Sequence, residues 1–119
     1  MKKLRILVVD DDHQNRKLLE IILSCEGYAP IIIASDGEMA INMLQGNQYD
    51  LVMTDLNMPK ADGLEVTTFV KRYFPNTKVI LLTAFRDEIK PEGAAPDRII
   101  RKPYDIKEVR DAISELFPN

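Results

Sequence analysis

Five short apolar runs punctuate the chain: Leu4–Val9, Pro30–Ala34, Leu51–Thr54, Val79–Thr83 and Arg98–Ile100. Most are dense in Ile, Val and Leu with no polar alternation, as expected of strands covered on both faces. Longer segments of helical period separate them. Strands alternating with helices predict an α/β fold, a parallel sheet wrapped by helices.

Four helices are expected. Gln14–Glu26 puts Leu18, Leu19, Ile22 and Leu23 on one stripe and stops at Gly27. Asp36–Leu44 opens on a capping acid and gathers Met39, Ala40, Met43 and Leu44 before Gly46 and Asn47. Leu64–Phe74 follows Asp62-Gly63 and ends at Pro75; Ile106–Phe117 spaces Ile106, Val109, Ile113 and Leu116 helically and ends at Pro118. A fifth helix belongs between the last two strands, but Pro91, Gly93 and Pro96 interrupt Phe85–Asp97. Proline costs a helix interior about 3 kcal/mol and glycine about 1. One short turn near Arg86–Lys90, then irregular chain, is the expectation.

At 119 residues this is one domain, large enough to bury a core without disulfides or structural metal. A net charge of −3 gives no overall pull toward nucleic acid or anionic membrane. The basic run Arg98-Ile99-Ile100-Arg101-Lys102 has an apolar centre and reads as a buried strand with charged ends. Cys25 is the only cysteine; its apolar neighbours Ile21, Ile22 and Leu23 predict a small buried hydrophobe. The N-terminal apolar run is interrupted by Arg5 and ended by Asp10-Asp11-Asp12, too early for a signal peptide. No stretch approaches the ~20 apolar residues of a membrane span. The cytoplasm is the expected compartment.

The unusual polar residues fall at strand ends. Asp10-Asp11-Asp12 follows the first strand, Asp55 the third, Thr83 closes the fourth and Lys102 follows the fifth. Ligands of doubly wound sheets gather beyond the carboxyl ends of the strands. Carboxylates, a hydroxyl and an ammonium would therefore meet at one edge. Three close carboxylates repel one another unless a cation joins them, and Mg²⁺ suits hard oxygen ligands. Helix capping accounts for one acid of the run, Asp12, but not for three. His13 stands alone beside the acids and reads as a surface residue.

Four stretches carry a resemblance over nearly the whole chain: Ile6–Asp12, Asp50–Pro59 with Asp62-Gly63, Leu81-Leu82-Thr83-Ala84, and Lys102-Pro103. In this order, each at a strand end, they resemble the receiver domain of bacterial two-component response regulators. The resemblance implies a doubly wound, five-stranded, flavodoxin-like receiver spanning 1–119, with no effector domain and a shortened or irregular fourth helix. It implies Asp55 as phosphoacceptor, with Mg²⁺ held by Asp11, Asp55 and the Asn57 carbonyl, and by Asp10 through water. Lys102 would pair with Asp55 and then with the phosphoryl group, after a cis Lys102–Pro103 bond; Thr83 would donate its hydroxyl. Implied partners are a sensor histidine kinase or phosphotransfer protein and a downstream protein target, with the chain a monomer or weak dimer.

Two features depart from the family. Ile99 stands where receivers usually carry Tyr or Phe, and it cannot expose a polar tip. Lys102 follows Thr83 by only nineteen positions. The surface around the fifth strand is therefore expected to be remodelled while the phosphorylation chemistry survives. A phosphorylation-independent interaction module is the alternative. A phosphatase with an aspartyl intermediate would often place a second acid two residues past the nucleophile, where this chain has Asn57.

Overall fold

Successive residues of a strand point to opposite faces of its sheet, and the first strand shows why its sequence is apolar throughout. Ile6 and Val8 enter one core, while Leu7 and Val9 enter the other; all four are fully buried. The computed structural model describes residues 3–84 and 94–118. These form β1 (Lys3–Val9), α1 (His13–Cys25), β2 (Ala29–Ala34), α2 (Gly37–Gly46), β3 (Leu51–Asp55), α3 (Gly63–Tyr73), β4 (Lys78–Thr83), β5 (Arg98–Arg101) and α4 (Ile106–Leu116). The strands pair in parallel in the order β2-β1-β3-β4-β5, the flavodoxin-like order.

Helices α1 and α4 cover one face through Leu19, Ile22, Leu23, Val109, Ala112 and Ile113. Helices α2 and α3 cover the other through Ala40, Leu44, Val66 and Val70. Aspartates 12, 36, 62 and 105 cap the four helices, each accepting from first-turn amides. Such caps each contribute about 1 kcal/mol. Gly27, at φ 84°, ends the first helical turn-off, a backbone shape that other residues adopt at a cost. Among the described residues no helix is long and apolar enough to cross a membrane.

Several side chains differ from the expectation. Leu18 is 54% exposed, and Cys25 is exposed too. The reason is angular: Leu18, Ile21 and Cys25 are spaced i, i+3, i+7 along the rim of α1, while Leu19, Ile22 and Leu23 face the sheet. Met39 and Ile106 likewise sit on the open flanks of α2 and α4. The basic run around Ile99 is not a buried strand. β5 is an edge strand, with Ile100 buried and Ile99 38% exposed. β2, the other edge, admits Pro30 at its start, where a missing amide hydrogen is tolerated. The peptide bonds Ala29–Pro30 and Lys102–Pro103 are both cis; nothing in the sequence pointed to the first. The short turn near Arg86–Lys90 and the irregular fourth helix fall mainly on residues 85–93, outside the described residues; residues 94–97 are not helical.

Candidate functional site

The apolar run of β1 delivers Asp10 to the carboxyl edge of the sheet, where it is 4% exposed. Its Oδ1 accepts the Asp12 amide at 2.9 Å, and its carbonyl accepts Arg16 Nη1 at 2.8 Å. Asp12 is occupied as the cap of α1, accepting from Gln14 and Asn15. Asp11 is left exposed at the mouth.

β3 ends on Asp55. Beyond it the chain stays tied to its neighbours, since Leu56 donates to the Leu82 carbonyl and Gly63 to the Leu56 carbonyl. A β-carbon on Gly63 would collide with the carbonyl oxygen of Asp55 and lie 2.7 Å from Leu81 Cδ1. Only glycine lets α3 start so close to this backbone. Thr83, buried at the end of β4, accepts the Lys102 amide on its carbonyl at 2.7 Å. That bond extends the β4–β5 ladder one residue and fixes the root of the lysine. Lys102 Nζ then reaches 3.0 Å from Asp55 Oδ1 and 3.7 Å from Asp10 Oδ2.

Asp10, Asp11 and Asp55 each offer an oxygen, all within 4.8 Å of one another. Among the described residues, three carboxyl groups thus gather around one ammonium. Burial pushes the Asp10 carboxyl above its ordinary range; the Asp12 amide and Lys102 pull it back, and Asp55 and Asp11 add to the rise. Among the described residues the cluster is short of positive charge. Hard oxygen donors with one open, solvent-facing side fit a small divalent cation that keeps several waters. The chemistry of this donor set suits Mg²⁺.

Two further residues adjoin the cluster without any signal in the sequence. Tyr104, two positions past Lys102, is half-buried, and burial, Asp10 and Asp55 raise its phenol above the ordinary range. Arg16 holds the Asp10 carbonyl from α1. Beside the carboxylates opens a hollow of about 460 Å³, lined by Leu18, Ala84, Lys102, Pro103 and Tyr104 among others. A similar hollow, at Arg5, Tyr49 and Thr77, lies at the opposite ends of the strands and shares none of these groups. His13, exposed at the start of α1, has Nδ1 3.3 Å from Arg16 Nη2.

Residues 6–114 match the response regulator receiver domain family. The chain belongs to that family. The receiver is 35% identical to a probable chemotaxis protein CheY of Rhizobium etli, over 98% of this chain and 94% of the relative. It is 34% identical to sporulation initiation phosphotransferase F of Bacillus subtilis, over 96% and 94%. Among solved structures it resembles the response regulator TrrA of Thermotoga maritima, at 36% identity and a TM-score of 0.85, covering 98% of this chain and 100% of that one. TrrA has been solved with Mg²⁺–BeF and, separately, in complex with the histidine kinase ThkA.

Of the residues singled out in this receiver's sequence, Asp10, Asp11, Asp55 and Lys102 come together. Thr83 borders them from the end of β4, and Asn57 lies exposed in the loop two residues past Asp55.

Proposed function

We propose that this receiver is a signalling switch that takes a phosphoryl group onto Asp55. The observation that carries it is the Lys102–Asp55 pair at 3.0 Å inside a cluster of three carboxyl groups. Phosphoryl transfer asks a protein mainly for positioning and charge neutralisation. An oxygen of Asp55 bonds to phosphorus as the bond to the donor's leaving atom breaks, and the leaving group keeps the electron pair. Lys102, already beside that oxygen, turns to neutralise the arriving phosphoryl oxygens. Thr83 offers its hydroxyl to one of them.

Asp11, Asp55 and the Asn57 carbonyl would hold Mg²⁺, with Asp10 acting through water. When bound, the ion would supply charge neutralisation to the transferring group, adding to that of Lys102. Its role here is supported by the acidic cluster and by the likeness to TrrA, solved with Mg²⁺–BeF.

The donor is a sensor histidine kinase or a phosphotransfer protein, both acting in the cytoplasm. Leu18, Pro103 and Tyr104 form an apolar rim beside the carboxylates, where such a donor would rest. The TrrA–ThkA complex supports this class of partner. The added group brings about −2 charge and three acceptor oxygens, enough to change which protein the receiver binds downstream. Phosphorylation and loss of the phosphoryl group are its own chemistry, not turnover of an outside substrate.

Incubation with Mg²⁺ and acetyl phosphate should add one phosphoryl group, read by intact-mass spectrometry. Asp55→Asn should abolish the gain. A wild-type chain left unmodified by acetyl phosphate and by a histidine kinase would sink the proposal.

A further inference from the structure

The loop that follows Asp55 is held from two sides, and only one belongs to the strand that delivers Asp55. On the far side stands α2. Gly37, its first residue, is buried, and a β-carbon built there would fall onto the Ala61 carbonyl oxygen. The same β-carbon would lie 2.7 Å from the Ala61 carbonyl carbon and 2.9 Å from its Cβ. Two of these three atoms are backbone, which cannot swing away as a side-chain tip can. Gly37 does not adopt the left-handed conformation, so its backbone alone would admit any residue. What requires glycine is the approach of the loop.

The loop has little slack to absorb a push. Lys60 already occupies the left-handed region at φ 71°, and the Ala61 amide closes a turn onto the Pro59 carbonyl at 2.9 Å. Lys60 Nζ also stands 3.8 Å from Oδ2 of Asp36, the residue that caps α2. At its other end the loop is tied by the Gly63 amide to the Leu56 carbonyl at 2.8 Å, with the Asp55 carbonyl packed close against Gly63. Asn57 lies between these anchors.

We infer that Gly37 is a positioning residue for the metal site: its bare Cα sets how far the Asn57–Ala61 loop stands from the sheet edge, and so where the Asn57 carbonyl is presented. The inference rests on the Mg²⁺ reading above. The contact works in both directions, because any coupling between two sites is reciprocal. Metal held by the loop must also register in the first turn of α2.

The test uses the whole chain with Mg²⁺ as the only ligand, followed by amide NMR and calorimetry. Gly37→Ala should weaken Mg²⁺ roughly tenfold, the scale of lost outer-shell support at metal sites. Gly46→Ala is the control, since nothing lies within 4 Å of a β-carbon at that end of the same helix; its Mg²⁺ affinity should stay at the wild-type value. In the wild type, Mg²⁺ should shift the amides of Gly37, Glu38 and Met39 together with those of the 57–61 loop. A folded Gly37→Ala that binds Mg²⁺ as the wild type does would overturn the inference. Should that variant not fold, a silent 37–39 turn beside a responding loop in the wild type would overturn it as well. A wild-type loop indifferent to Mg²⁺ would remove the metal reading itself, and this inference with it.

Discussion

Lys102 Nζ stands 3.0 Å from Oδ1 of Asp55, a carboxylate that a divalent cation at the acidic cluster would share. Two positive charges bidding for one carboxylate weaken each other. Lys102→Met should therefore tighten Mg²⁺ binding by about tenfold, or 1.4 kcal/mol, while leaving the metal-free cluster less stable. Calorimetric titration of both proteins checks the first effect and thermal unfolding without metal the second. Unchanged or weaker Mg²⁺ binding in the variant would contradict this.

Asp10 is almost fully buried among like charges, and its folded-state pKa lies above the ordinary range. A raised carboxyl pKa means that ionisation opposes folding: the penalty is absent well below pH 4 and grows as pH rises through the folded value. Asp10→Asn keeps an oxygen for the Asp12 amide and removes the charge. The metal-free variant should be more stable at pH 7 by about 1 kcal/mol, with the gain vanishing in acid. Urea unfolding across pH measures it. Mg²⁺ should stabilise the variant less than the wild type.

Asp97 has the opposite sign. Burial alone would raise its carboxyl, but Lys71 at 2.6 Å, the Val79 amide at 2.8 Å and the charge of Lys78 outweigh it and hold it low. A lowered pKa gives stability that is present above about pH 4 and lost as pH falls through the folded value. Asp97→Asn should cost about 1–3 kcal/mol at pH 7. The difference from wild type should close in acid, and a pH-independent difference would refute the assignment.

Gly63→Ala should destabilise the fold by about 1–3 kcal/mol, because the new methyl has only backbone and Leu81 to displace. It should also slow labelling of Asp55, whose carbonyl takes the push. Denaturant midpoints and labelling rates report the two effects separately.

Much of this molecule is legible in its residues. Each described strand begins and ends within one residue of its apolar run; for the inner strands β1, β3 and β4 the reason is that strands buried on both faces leave few polar residues inside them. The capping role of Asp36 and the stop at Gly27 follow from local chemistry alone. The meeting of Asp10, Asp11, Asp55 and Lys102 is legible for a related reason: polar groups at the ends of apolar strands have one edge to occupy. What was hidden depends on distant neighbours. Leu18 and Cys25 continue an apolar pattern, yet how far a helix turns its flank toward the sheet is set by what stands beside it. Tyr104, Arg16 and Gly37 matter through residues far off or on another element, and no periodicity announces such contacts. The exposure of Ile99 is not written in its strand, because edge position belongs to the sheet order.

Asp55 and Lys102 lie 47 positions apart and are joined across β4, with the lysine hung from the outermost strand. A ribosome halfway through this chain has already produced every acid of the cluster and none of its counter-charge. Peeling β5 from the sheet would recreate that condition in the finished molecule. The last described strand in the chain is thus the one that brings the acidic cluster its ammonium.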